Sequence, residues 1–249
     1  FFVIVKIPYR IDPLERDMTL HIYLPDDYER KDERYPVMYM YDGHNLFDDN
    51  DATYGKSWGL ADFLAGYDKP FIIVGVECDH FGRNRLNEYC PYTVRSTILG
   101  DISGHGEIFM DWLVNDLKPY IDENFRTFPQ RAATGIGGSS MGGLMAYYSV
   151  IRYNKIFSKA ACLSPSLMIC TDQLTHEVRE DWIHPDTRIY LSMGSKEFGT
   201  RHAQIYEYLD YFAQLVKPGL SNIHVVEGGE HNETSWEMLN EEYFDYLWK

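Results

Sequence analysis

The chain has 249 residues, 45% of them hydrophobic, and a formal net charge of −15. That apolar share supports one large core in a single domain spanning residues 1–249. The acidity excludes the basic footprint of a nucleic-acid binder or an anionic-membrane binder, and no apolar run approaches the length of a membrane span.

In chain order, "FFVIVKI" and "MTLHIYLP" are rich in β-branched residues and predict two strands. The turn-rich "PYRIDPLERD" between them pairs the two as an antiparallel unit. A buried strand at 35–43, a short helix at 58–66 and a second buried strand at 70–78 follow. Residues 79–103 mix charges, proline, glycine and aromatics without a period, which predicts a functional loop insertion. Helical spacing returns at 105–125, with Ile108, Trp112, Leu113, Leu117, Tyr120 and Ile121 on one face. A strand at 132–137 runs through a turn into a helix at 141–157. "KAACLSPSL" is a strand, 171–185 is irregular or helical, 187–195 is a strand and 202–216 an amphipathic helix. A strand at 222–229 and a final helix over "TSWEMLNEEYFDYLWK" complete the chain.

From residue 35 onward strands and helices alternate. The expected fold class is therefore α/β: a mostly parallel central sheet of about eight strands, helices on both faces, and an N-terminal antiparallel strand pair. In such sheets the chemistry lies just beyond the carboxyl ends of the strands.

The stretch "AATGIGGSSMGGLMAYYSV" sits at such an end. Gly138, Ser140 and Gly142 form Gly-x-Ser-x-Gly between strand and helix, the nucleophile elbow of α/β-hydrolases; Ser139 does not fit, since Met141 would occupy its second glycine position. A dinucleotide fingerprint is excluded, because the window from Gly135 ends on Ser140 and lacks the later acidic partner. "GKS" at 55–57 is no P-loop, since Asn50 stands where the first glycine is required.

A serine nucleophile needs a base, and the chain order in this fold is serine, acid, histidine. Of the histidines after Ser140, only His231 follows a strand end, and "GGEHNETSW" gives it a flexible loop. Glu197 in "YLSMGSKEFG" is the favoured acid, with Asp172, Asp186 and a Ser–His dyad as alternatives. The oxyanion donors are the backbone N–H of Met141 and of His44 or Asn45 after the strand at 36–42, His44 being favoured. The loops at 44–58 and 79–103 form the mouth, where Trp58, Arg83, Arg85, Glu88, Tyr92 and Asn45 are candidate substrate contacts; surface pairing is the competing role for the arginines.

"YPVMYMYDGHNLFDD", "RNRLNEYCPY", "GGSSMGGLMA", "SMGSKEF" and "GGEHNETSW" together resemble the "Putative esterase", or esterase D-like, family, over about residue 16 to the end. Its members include S-formylglutathione hydrolases, feruloyl and acetyl-xylan esterases, siderophore esterases and mycolyltransferases. The "DGHNLFDD" stretch and the Trp after His231 are most similar to the siderophore-esterase-like members. The resemblance implies Ser140 as nucleophile, His231 as base, Glu197 where many relatives carry Asp, and His44 where many carry Leu.

The expected activity is a serine carboxylesterase cleaving small acyl esters through an acyl-enzyme intermediate. Its alternatives are an acyltransferase with the same triad, or a hydrolase-fold binding protein with an idle site. The expected partner is a small-molecule ester, carbohydrate-linked or siderophore-type, with no nucleic acid and no membrane. A homodimer is compatible with the resemblance. No cofactor and no metal is expected, since there is no His-Glu-x-x-His and no Cys/His cluster. Cysteines 78, 90, 162 and 170 are few, which favours a reducing, cytoplasmic setting; a Cys78–Cys90 bridge and removal of a leader before Phe1 stay open.

Overall fold

The computed structural model describes residues 3–97 and 99–249, so Phe1 and Phe2 of the expected first strand and Ile98 of the irregular segment lie outside the described residues. Strands β1 (Val3–Ile11) and β2 (Arg16–Leu24) form a hairpin in register from Val3↔Leu24 to Ile11↔Arg16. Then come β3 (Val37–Tyr41), α1 (Leu60–Gly66), β4 (Ile72–Val76), α2 (Asn84–Glu88) and a small hairpin of β5 (Val94–Ser96) and β6 (Gly100–Ile102). Helices α3 (Gly106–Trp112) and α4 (Lys118–Asn124) are joined by a π-helical turn, Leu113–Leu117. The rest is β7 (Thr134–Ser139), α5 (Met141–Arg152), β8 (Lys159–Leu163), α6 (Thr171–Glu180), β9 (Arg188–Gly194), α7 (His202–Leu215), β10 (Leu220–Val226), α8 (Glu233–Glu237) and α9 (Asn240–Trp248).

Eight strands make one sheet in the order β1-β2-β4-β3-β7-β8-β9-β10. The β1–β2 and β2–β4 pairs are antiparallel and every pair from β4 to β10 is parallel, so the mostly parallel sheet with its antiparallel N-terminal pair is as expected. The alternation along β3 shows why both faces need helices. Val37, Tyr39 and Tyr41 join one apolar cluster, while Met38 and Met40 join another on the opposite face. None of the described helices is long and apolar enough to cross a membrane.

Three elements differ from expectation. The 79–103 segment is structured rather than a plain loop, and α2 is pinned from two sides. Arg16 donates from Nη2 to Glu88 Oε2 at 2.9 Å, and Arg85 pairs with Asp42. Ile108 is exposed, because the buried face of α3 is formed by Phe109, Met110 and Trp112. The expected last helix is broken into α8 and α9, capped at its start by Asn232, whose side chain accepts from the Ser235 N–H at 3.0 Å.

Candidate active site

Ser140 lies between β7 and α5 with φ 56° and ψ −118°, a conformation L-residues rarely adopt. The neighbouring strand and loop hold it there. The Ser140 N–H donates to the Leu163 carbonyl at 3.0 Å, and its own carbonyl accepts from Leu144 and Ser166, both at 3.0 Å. A Cβ on Gly138 would meet the backbone carbon and oxygen of Gly142 at 2.8 Å, so the first glycine of the motif is dictated by contact with the second. Met141 opens α5, and the N–H groups of a helix's first turn have no intrahelical acceptor and carry partial positive charge.

Glu197 and His231, the expected acid and base, come together from the segments that follow β9 and β10. A Cβ on Gly194 would stand 2.2 Å from the Gly229 carbonyl oxygen, so backbone packing sets the two loops against each other. The His231 Nδ1–H donates to Glu197 Oε2 at 2.8 Å. Glu197 Oε1 accepts from the Ser164 hydroxyl at 2.6 Å and from the Gly194 N–H at 2.8 Å, and Ser164 Oγ accepts from Trp236 Nε1 at 3.0 Å. Burial pushes the Glu197 carboxyl upward, but the hydrogen bonds from His231, Ser164 and Gly194 outweigh it and hold the group below the ordinary glutamate range. Trp236 also packs edge-on against the His231 ring, with centroids 5.2 Å apart. The His231 loop is tied down rather than flexible. The Lys196 N–H donates to the Gly229 carbonyl at 3.0 Å, and the Glu230 N–H to Ser235 Oγ at 2.8 Å.

On the other side of Ser140, Asp42 ends β3 in a left-handed conformation (φ 55°) and turns the chain into a single 3-10 turn, Gly43–Asn45. Its carboxylate takes two hydrogen bonds from Arg85, Nε to Oδ1 at 2.8 Å and Nη2 to Oδ2 at 2.7 Å. Burial alone would raise the Asp42 carboxyl; the Arg85 charge and hydrogen bonds bring it below its ordinary value. His44 is buried with Nε2 beside Thr53 Oγ1 at 2.9 Å, and desolvation lowers its pKa to about 4, so its ring is neutral near neutral pH.

Two cavities meet at Ser140 and His231. One, of about 560 Å³, is lined mainly by polar residues, among them His44, Asn45, Tyr54, His80 and Arg85, over a surface of mixed character. The other, of about 240 Å³, is mainly apolar, with Leu86, Leu99, Met168, Ile169, Phe198 and Ile205 on its walls. The 44–58 and 79–103 segments thus both contribute to the mouth. Among the described residues Ser140 and His231 share no hydrogen bond; the Ser140 hydroxyl instead contacts Ser166 Oγ at 3.5 Å.

The other expected positions divide. Asn45 lines the polar cavity, and its Oδ1 accepts from the Thr53 N–H at 2.9 Å. Arg85 lines both cavities with its guanidinium committed to Asp42. Trp58 is a correction: it is buried in the core against Trp236, with ring centroids 5.8 Å apart, and lines neither cavity. Tyr92 is another, since its hydroxyl donates to Glu177 at 3.1 Å and its ring packs on Tyr148, away from both cavities. Asp186 pairs with Arg131 and His184, while His231 pairs with Glu197. All four cysteines are free, so Cys78 and Cys90 are not bridged. The expectation of no Cys/His cluster fails in space: ligand atoms of His44, Cys78 and His80 all lie within 4.8 Å of one another. They come from the ends of adjacent strands β3 and β4, so no local spacing reveals them. Ser164 and Ser166 lie just past the end of β8, where the strand-end rule looks for chemistry, but no motif gives them or Trp236 a role; the Ser164 positive φ of 45° has no glycine to advertise it.

A serine on a strained strand-to-helix turn, at the carboxyl edge of a mostly parallel sheet, defines the class: an α/β ester hydrolase. The chain belongs to the "Putative esterase" family, whose model matches residues 11–239. It is 26% identical to the uncharacterized protein YbbA of Bacillus subtilis over 179 residues, 71% of this chain and 67% of that one. Among solved structures, the BES protein from Bacillus cereus superposes with a TM-score of 0.78 at 19% identity, covering 98% of this chain and 95% of that one. The enterobactin esterase FES from Shigella flexneri does so with a TM-score of 0.76 at 16% identity, covering 99% of this chain and 59% of that one. Against curated relatives named as esterases, the chain spans only 19–28% of their length.

Proposed function

We propose that this chain is a serine carboxylesterase that works through Ser140, His231 and Glu197. The supporting observation is the strained Ser140 backbone facing the two cavities that His231, oriented by Glu197, also lines. With Nδ1–H given to Glu197, His231 keeps Nε2 as its basic nitrogen. Ester entry turns the Ser140 hydroxyl from Ser166 toward Nε2, since catalytic contacts of this kind tighten only when the substrate is seated. The oxygen attacks the ester carbonyl as His231 takes the proton. The resulting oxyanion is held by the backbone N–H groups of Met141 and His44. His231 then protonates the leaving alcohol, and water enters by the same route to release the acid and restore the serine.

The two cavities suit the two halves of an ester. The apolar one takes a short acyl chain. The polar one, with Asn45, His80 and the Arg85–Asp42 pair at its walls, takes an oxygen-rich alcohol. An alcohol of the siderophore or carbohydrate class fits that polarity, and FES offers a precedent on the same fold. The test combines labelling with a fluorophosphonate and turnover of acetyl, butyryl, feruloyl and trilactone esters, with Ser140→Ala as control. The reading stands if Ser140 is the labelled residue and Ser140→Ala abolishes turnover. It falls, in favour of a binding protein, if the wild type neither labels nor cleaves.

A further inference from the structure

His44, Cys78 and His80 form a cluster that the hydrolytic reading does not use as side chains. His44 Nε2 is held by Thr53, which leaves Nδ1 as the nitrogen to offer a ligand; it is buried and, among the described residues, has no hydrogen-bond partner. His44 is 5% exposed and Cys78 4%. Across from them, His80 turns Nδ1 toward Cys78 Sγ at 4.0 Å, while its Nε2 lies 3.7 Å from Glu77 Oε2. The His44 and His80 rings meet nearly at right angles, with centroids 4.5 Å apart. His80 thus has one nitrogen facing an oxygen and the other facing Cys78, and His44 has one nitrogen on an oxygen and the other unpartnered among the described residues, the arrangement that outer partners impose on metal-ligating imidazoles.

We infer that His44, Cys78 and His80 form a binding site for a borderline-soft divalent cation of the zinc type, with a fourth coordination position open to the polar cavity. Two nitrogens and one sulfur are the donor set such an ion selects. Zinc bonds of roughly 2.0–2.3 Å place tetrahedral ligands about 3.4–3.7 Å apart. The three donors, now within 4.8 Å, therefore need to close by about 1 Å. The mobile partner is His80, whose side chain is 54% exposed, whereas His44 and Cys78 are fixed by the strand ends. On binding, the Cys78 thiol exchanges its proton for the ion and the proton passes to solvent. The three-ligand, one-open geometry is that of sites that accept an exchangeable fourth ligand.

The experiment uses the full chain and metal salts alone, so it does not depend on ester turnover; Ser140→Ala, tested alongside, is expected to bind the ion as the wild type does. Zn²⁺ is titrated against a chromophoric chelator, and Co²⁺ is followed by absorbance. One ion per chain is expected, with a thiolate-to-cobalt charge-transfer band in the wild type. His80→Ala and Cys78→Ser should each weaken Zn²⁺ binding by roughly 10-fold or more, and Cys78→Ser should abolish the band. A wild type that takes up no Zn²⁺, or a cobalt spectrum without the thiolate band, overturns the site even if a variant fails to fold. Unchanged affinity in both folded variants overturns it as well.

Discussion

Glu197→Gln is the sharpest perturbation of the proposed triad. The side chain is 1% exposed and keeps its shape, so packing is conserved while the charge is lost. Its Oε1 accepts from both Ser164 and the Gly194 N–H, two donors that pin the Gln carbonyl to that side. The amide NH₂ is then forced against His231 Nδ1, where Glu197 Oε2 now accepts at 2.8 Å. A donor facing a donor is untenable, so the imidazole moves its proton to Nε2 and can no longer take one from Ser140. A wrong tautomer of this kind costs roughly 1,000- to 10,000-fold in kcat. That is about 4–5.5 kcal/mol of transition-state stabilisation. The assay is steady-state hydrolysis of p-nitrophenyl butyrate, with circular dichroism to show that the fold is intact. KM should change little. A folded Glu197→Gln enzyme within about 10-fold of wild-type kcat/KM would refute the assignment and return Asp172 or a Ser–His dyad to consideration.

Ser164→Ala removes a donor to Glu197 and leaves Trp236 Nε1–H buried without its partner, so stability should fall by about 1–3 kcal/mol. Because the Glu197 carboxyl is held low partly by that bond, its pKa rises in the variant, and the stability profile should fall less steeply as pH drops through the carboxylate range than that of the wild type. A profile lowered by the same amount at every pH would reject the link. Gly138→Ala should fail to fold or lose fluorophosphonate labelling, since its Cβ would sit 2.8 Å from Gly142 backbone atoms; normal expression with normal labelling would contradict the elbow's packing. His44, lowered to about 4 by burial, makes the folded state bind fewer protons than the unfolded one. Its contribution is present above an unfolded value of about 6.5 and is lost as pH falls toward 4, to a limit of about 3 kcal/mol. Urea midpoints across that interval should fall less steeply in His44→Gln. Ile169→Trp fills the apolar cavity and should lower kcat/KM for butyryl esters about 10-fold more than for acetyl esters; equal losses would move the acyl group elsewhere.

Much of the fold was legible because its signals are local. Alternating apolar runs mark the strands, and the glycines flanking Ser140 mark the elbow. Positions at strand ends picked out His231 and Glu197, and the structure joins that pair by a hydrogen bond. What stayed hidden depends on distance in sequence. Trp58 read as a mouth residue because aromatics in loops often are, but its ring completes a core with Trp236. Tyr92 lost its place to a tie with Glu177 on a separate helix. The π turn at Leu113–Leu117 cannot be seen in a 3.6-residue period; the expected face holds through it at Leu113, Leu117 and Ile121 and fails only at Ile108, one helix earlier. Ser164 carries no motif, since its partner Glu197 is 33 residues on, and Cys78 has only His80 nearby in sequence, its other neighbour His44 coming from the turn after β3.

The double tie of Arg85 to Asp42 joins α2, in the segment that walls the cavities, to the residue that bends the chain toward His44. On the proposed reading, substrate preference and reaction rate share a hinge pin. A descendant of this chain cannot trade that wall for another without also resetting the cradle of the reacting oxygen, unless the incoming segment brings its own cation to the end of the third strand. Grafts between relatives should succeed or fail according to whether that one guanidinium travels with them.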